Sequence, residues 1–292
     1  MEIGIIGIGL MGKAFLERFR SQGYSVRVFN RNPLELAPDS DVIVCASVDE
    51  LIDTSSTIIL MLSNAEAINH LIQLNQASET QRVLQGKTFL QMATISPDQS
   101  RQVAVAIAAR GGHYLEAPVL GSLPEARTGT LIIMAAGSKQ LFEHALPVLQ
   151  ILGTAPRYIG DTGSAAALKL AMNQLIASLT AGFALSLGYA IRNGVDSELF
   201  MQTVRESALY AKTYDKKLQK YLQRDFGTAN FSTRHLLKDI RLFIDDAQSS
   251  GLNTDALEGI ERITRSTVEK GLDRMDYSSI FEVICPDTDN KT

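Results

Sequence analysis

Glu2-Ile3-Gly4-Ile5-Ile6-Gly7-Ile8-Gly9-Leu10-Met11-Gly12 decides the fold. Residues 2–6 form a short apolar run of strand character, and the glycine turn follows at once. From Lys13 to Ser21, Phe15, Leu16 and Phe19 recur at helical spacing. Strand, glycine-rich turn and helix in this order make the dinucleotide-binding arrangement. Gly7 permits the tight turn, Gly9 lets a pyrophosphate approach the backbone, and Gly12 lets helix pack on strand. GxGxxG alone is a weak signal; directly behind a strand and opening a helix, it is a strong one.

Working outward, the second strand, residues 25–29, ends in Asn30-Arg31-Asn32. An NAD site usually places Asp or Glu near here, about 20 residues beyond the glycines, to hold the ribose hydroxyls. This chain has no acid at that strand end and an Arg beside it. A carboxylate would repel a 2′-phosphate, whereas a guanidinium pairs with it in bidentate fashion. The reading is NADP(H) in preference to NAD(H), with an Arg31 that merely faces solvent as the bland alternative.

Strand and helix continue to alternate. Residues 42–46, 57–62, 88–92, 113–116, 131–135 and 157–159 read as strands, and 98–110 and 139–152 as helices. Ser96 and Pro97 suit a helix cap and first turn. Met61-Leu62-Ser63-Asn64 lies at the carboxyl end of a strand, where ligands collect in open α/β sheets. Residues 117–130 contain so many polar residues, Pro and Gly that they read as a loop outside the core. Seven of the eight prolines fall at or before Pro156, and beyond that point helical periodicity replaces strands. The fold class is therefore α/β: a Rossmann-type dinucleotide-binding domain over residues 1–160, then an all-α domain over 161–292.

Between Asp161 and Arg192 the only charged side chain is Lys169, and no Pro interrupts a helix. A helix apolar on nearly every face lies in a core or in a membrane. Gly163, Gly182, Gly188 and scattered polar residues favour the core. An ammonium there is costly and its pKa tends to fall. Asn173 stands four residues on and shares its face. A desolvated Lys beside a neutral hydrogen-bonding group suits proton transfer to an alcohol oxygen; a lysine snorkelling to solvent is the equal alternative on this helix alone.

Composition narrows the classes. The 292 residues are 45% hydrophobic and 21% charged with a net charge of −4, a soluble two-domain chain without the basic surface that nucleic acid requires. Cys45 and Cys285 stand far apart, and the four histidines show no ligand spacing, so no metal is expected. No signal segment is legible, which makes the cytoplasm the default and a membrane location unexpected.

Four motifs in register resemble the β-hydroxyacid dehydrogenase family, the 3-hydroxyisobutyrate dehydrogenase-like enzymes. They are Gly7-Ile8-Gly9-Leu10-Met11-Gly12 with Asn30-Arg31; Ala117-Pro118-Val119-Leu120-Gly121-Ser122; Gly160-Asp161-Thr162-Gly163 with Lys169 and Asn173; and Phe231 with Lys238-Asp239. The resemblance implies hydride transfer between a nicotinamide and a carbonyl carbon. In that scheme Lys169 handles the proton and Asn173 holds the oxygen or the lysine. Gly121 and Ser122 bind the substrate carboxylate, and Phe231 borders the substrate. Thr94 lies near the nicotinamide, Met61 and Leu62 line the adenosine side, and Lys238 closes over the cofactor. It also implies a homodimer or homotetramer. Leu120 departs from the family's usual Ser and removes a hydroxyl donor. Gly121-Ser122 is more similar to the glyoxylate/succinic semialdehyde reductase branch. The expected substrate is a small carboxylate-bearing aldehyde or hydroxy acid. The alternatives are a 3-hydroxyisobutyrate or tartronate semialdehyde type of activity, or an NADP-binding regulatory protein without catalysis.

Overall fold

The computed structural model describes residues 2–34, 42–72, 83–227 and 229–287. In chain order, the first unit contains β1 (Ile3–Ile6), α1 (Leu10–Ser21), β2 (Val26–Phe29), β3 (Val42–Val44), α2 (Val48–Thr54) and β4 (Thr57–Leu60). Then come α3 (Ala65–Leu71), β5 (Thr88–Gln91), α4 (Pro97–Ala108), β6 (His113–Glu116), β7 (Val119–Leu120), α5 (Leu123–Thr128), β8 (Ile132–Ala136), α6 (Lys139–Leu152) and β9 (Arg157–Gly160). The long α7 (Ser164–Arg192) leads into α8 (Ser197–Glu206), α9 (Lys212–Gln223), α10 (Thr233–Ser249) and α11 (Asp255–Thr267).

The strands stand in the order β3-β2-β1-β4-β5-β6-β8-β7, with β9 beside β8. Pairing is parallel from β3 to β6 and turns antiparallel where β6 meets β8. Parallel strands covered on both faces read as unbroken apolar runs, which is why Ile3–Ile6 and Thr57–Leu60 are buried throughout. Chain direction diverges between β1 and β4, and the crevice outside their carboxyl ends is where such sheets take ligands.

Residues 117–130 correct the expectation of a loop outside the core. Ala117, Val119, Leu123 and Ala126 belong to the main apolar core. Pro124 falls at the start of α5, where its missing N–H costs nothing, and Gly129 ends that helix at φ +70°. Helix α3, which starts on an Asn64 cap, was also absent from the sequence reading.

The two compact units meet at Leu170/Ala171, so the first turns of α7 go with the sheet. The physical reason is that the first turns of α7 are anchored to the sheet unit. Ala165 packs with Met134 and Ala136, with Leu120, Ile159 and Leu168 around them.

Helix α7 is long and apolar enough to cross a bilayer by length and composition alone. Ala177, Ala181, Phe183, Ala184 and Leu187 are buried, but Leu175, Leu179, Leu185 and Tyr189 are exposed, the last at 69%. The expected all-round burial is therefore corrected to burial of one side with an apolar stripe on the other.

Candidate active site

The glycine turn is shaped by contacts that only Gly tolerates. Gly7 has φ +99°, and a Cβ there would stand 2.3 Å from the Met61 carbonyl oxygen. A Cβ on Gly12 would stand 2.0 Å from the Gly7 carbonyl oxygen, so the helix packs on the turn only because that atom is missing. A Cβ on Gly9 would meet nothing within 4 Å, and Gly9 is the cap of α1, whose first amides point outward at that place. An open backbone at a helix N-terminus fits a pyrophosphate.

The end of β2 is tied to this turn. Gly7 N–H donates to the Phe29 carbonyl at 3.0 Å and Ile8 N–H to Asn30 Oδ1 at 3.1 Å, while Asn30 Nδ2 donates to the Asn32 carbonyl at 3.0 Å. Around the turn lies a cavity of about 230 Å³ lined by Gly7, Gly9, Asn30, Arg31, Met61 and Leu62, all six anticipated, with His70 and Ser63 added. Among the described residues, none that lines it is a carboxylate. The shape and donors fit a dinucleotide. Ile8, Leu10, Met11 and Gly12 build the turn and helix without lining the cavity, and Thr94 is half-buried beyond the end of β5. His70, given no site from sequence, comes to the cavity wall on α3, a placement no spacing rule could supply.

Lys169 is buried, at 9% exposure, in the second turn of α7. The first turn of that helix is held by a group the sequence reading passed over. Glu116, the last residue of β6 and 1% exposed, accepts from Gly163 N–H at 2.5 Å through Oε1, and from Ala165 and Ala166 N–H at 3.1 and 3.2 Å through Oε2. Burial pushes its carboxyl up from the ordinary value; hydrogen bonds from Ser100 and the three amides pull it back. Ser100 in turn shares a 2.6 Å hydrogen bond with the buried Tyr114 hydroxyl.

Ser122 caps α5, and both its N–H and its hydroxyl donate to Glu125 Oε2 at 2.8 Å. Gly121 before it has φ +130° and ends β7. Leu120, standing where the resemblance expected Ser, packs with Met134, Ala136 and Ala165 under the start of α7.

The other anticipated residues gather in the helical unit. Asn173 is buried, and its Nδ2 donates to Asp239 Oδ2 at 2.6 Å. Lys238 Nζ pairs with the other oxygen of Asp239 at 3.1 Å. An ionised carboxylate only accepts, so Asp239 fixes which way the Asn173 amide faces. Phe231 stands edge-on to Tyr277 and parallel to the His235 ring. His235 holds a 2.8 Å hydrogen bond between Nδ1 and the Ser232 hydroxyl. Burial and the Lys238 charge push its imidazole below the ordinary value, against the pull of Asp239.

Comparison with known proteins agrees with this architecture. Residues 2–160 match the family model for the NAD-binding domain of 6-phosphogluconate dehydrogenase. Residues 163–284 match the model for the NAD-binding region of NADP-dependent 3-hydroxyisobutyrate dehydrogenase. Glyoxylate/succinic semialdehyde reductase 1 of Arabidopsis thaliana is 28% identical over 286 residues, 97% of this chain and 98% of that one. Its chloroplastic counterpart, reductase 2, is 29% identical over 97% of this chain and 79% of its own. The crystal structure of a 3-hydroxyisobutyrate dehydrogenase from Salmonella typhimurium superposes with a TM-score of 0.83 at 22% identity, covering 97% of this chain and 99% of that one, and so shares the fold.

Proposed function

We propose that this chain, which belongs to the β-hydroxyacid dehydrogenase family of NAD(P)-dependent oxidoreductases, reduces small aldehyde acids, glyoxylate and succinic semialdehyde, to hydroxy acids with NADPH. The observation that carries this reading is the buried Lys169 ammonium on a helix with no other charged side chain before Arg192. When bound, the reduced nicotinamide supplies a hydride to the carbonyl carbon. As the carbonyl oxygen gains charge, Lys169 Nζ donates the proton to it. Asp239 takes the amide nitrogen of Asn173, which leaves its amide oxygen as an acceptor. Ser122 and the Gly121 backbone bind the substrate carboxylate, with the Ser122 hydroxyl exchanging Glu125 for that acceptor. A panel of glyoxylate, succinic semialdehyde, tartronate semialdehyde and methylmalonate semialdehyde with NADPH tests the assignment. Turnover fastest with the first two is expected; turnover confined to the last two would move the chain to another branch.

The preference for NADPH rests on Arg31 in a cavity lined, among the described residues, by no carboxylate. Hydrogen bonds to charged groups contribute about 1.5–3 kcal/mol, so Arg31→Ala weakens NADPH binding by roughly tenfold to a hundredfold and leaves NADH nearly unchanged. Fluorescence titration with both cofactors checks this, and equal losses for the two would remove Arg31 from the 2′-phosphate.

The working form is a homo-oligomer. Support comes from the exposed stripe of Leu175, Leu179, Leu185 and Tyr189, spaced to lie along one side of α7. Light scattering on the eluting peak is expected to report a dimer or tetramer, and Leu179→Arg with Leu185→Arg is expected to yield the 31.9 kDa single chain. A monomeric parent would contradict this.

A further inference from the structure

Of the buried ionisable groups that the mechanism above leaves without a task, Glu116 is placed most pointedly. Its two oxygens take three backbone amides from residues 47 to 50 positions later in the chain. Those amides belong to the turn that opens α7, and Lys169 follows Ala166 by less than one helical turn. Orphan amides at a buried helix start need an acceptor, and an anion there also meets the positive end of the helix dipole. Among the described residues, the Glu116 side chain serves all three. Beneath the same turn, Ala165 rests on Met134 and Ala136 of β8. The turn is thus held from two directions, by a carboxylate and by a close apolar seat.

We infer that Glu116 is the positioning residue for the proton donor: by holding the first turn of α7 to the carboxyl end of β6, it fixes where Lys169 stands. A helix is stiff over one turn, so a shift at Gly163–Ala166 is passed to Lys169 almost undiminished. Displacement of a catalytic group by about 1 Å can cost 10²-fold in rate. The carboxylate itself touches neither cofactor nor substrate in this scheme. This inference rests on the assignment of Lys169 as proton donor.

Glu116→Gln is the test, measured on the whole chain with NADPH and succinic semialdehyde or glyoxylate, well below its melting temperature. The amide keeps one acceptor for Ala165 and Ala166 but turns an NH2 donor toward the Gly163 N–H, and two donors cannot bond. The expected result is a kcat lowered about tenfold to a hundredfold, with KM and the NADPH Kd within about twofold of the parent. Hydrogen–deuterium exchange is expected to quicken at Gly163, Ala165 and Ala166. A kcat within twofold of the parent's, or a loss confined to KM, would overturn the inference. Should Glu116→Gln fail to fold, Glu116→Asp carries the same test, because retracting the carboxylate by one methylene lengthens all three hydrogen bonds; an unchanged kcat there overturns it equally. Lys169→Ala separates the two ideas. Full turnover in that variant removes the donor assignment itself, whereas lost turnover beside an unaffected Glu116→Gln removes only the role of Glu116.

Discussion

Lys169→Ala is expected to lower kcat by about 10²–10⁴ while NADPH binds as before. That range is what a positioned general acid contributes. The cofactor is expected to stay because Lys169 is not among the residues lining the cavity at the glycine turn. Reduction of an aldehyde leaves an oxygen that must acquire a proton as its charge develops, and Lys169 is the only charged side chain between Asp161 and Arg192. Steady-state kinetics with glyoxylate and succinic semialdehyde, together with a cofactor titration, read both quantities. Undiminished turnover would take the proton-transfer role from this residue.

The second large effect lies in the helical unit. Lys217 and Asp276 form a buried pair, Nζ to Oδ1 2.6 Å, with the Asp276 side chain fully buried and Lys217 at 11% exposure. The ammonium stands 3.9 Å from the centroid of the Tyr277 ring, and Ser278 donates to the same Asp276 oxygen through its N–H at 3.1 Å and its hydroxyl at 2.5 Å. Burial pulls the Lys217 amine below its ordinary value and the Asp276 charge pulls it back up, with burial the larger influence. Removing one partner leaves the other charge stranded, which costs about 3–5 kcal/mol, whereas replacing both with apolar side chains is often neutral or stabilising. Asp276→Ala is therefore expected to lower the unfolding free energy read from urea titration by that amount, and Lys217→Met with Asp276→Leu to recover most of it. A loss below about 1 kcal/mol for Asp276→Ala would mean that water reaches the pair.

What could be read from the sequence follows from where each signal resides. The turn Gly7–Gly12, the end of β2 and the helix cap at Ser96 are local: spacing and residue type are enough, and the structure places them as expected. Segment 117–130 misled because Pro124 and Gly129 count as breakers in composition, yet Pro124 sits in the first turn of a short helix and Gly129 is its C-cap. Helix α7 read as buried on every side because its exposed stripe has the same residue types as its core-facing side. Glu116 could not be found at all from sequence. A glutamate ending a strand reads as solvated, and its three partners lie 47 to 50 residues away. The Asn173–Asp239 bond spans 66 residues, so the motifs supplied both residues but not the bond that orients the amide.

Hydride transfer to an aldehyde acid is the central step, and isotope transfer measures it. NADPH carrying deuterium at the transferred position of C4 is incubated with the chain and glyoxylate, then with succinic semialdehyde, and the product is weighed by mass spectrometry. The prediction is one deuterium on the carbon that bears the new hydroxyl group, in step with cofactor oxidation. Unlabelled product, or cofactor left unoxidised with both aldehydes, would contradict it.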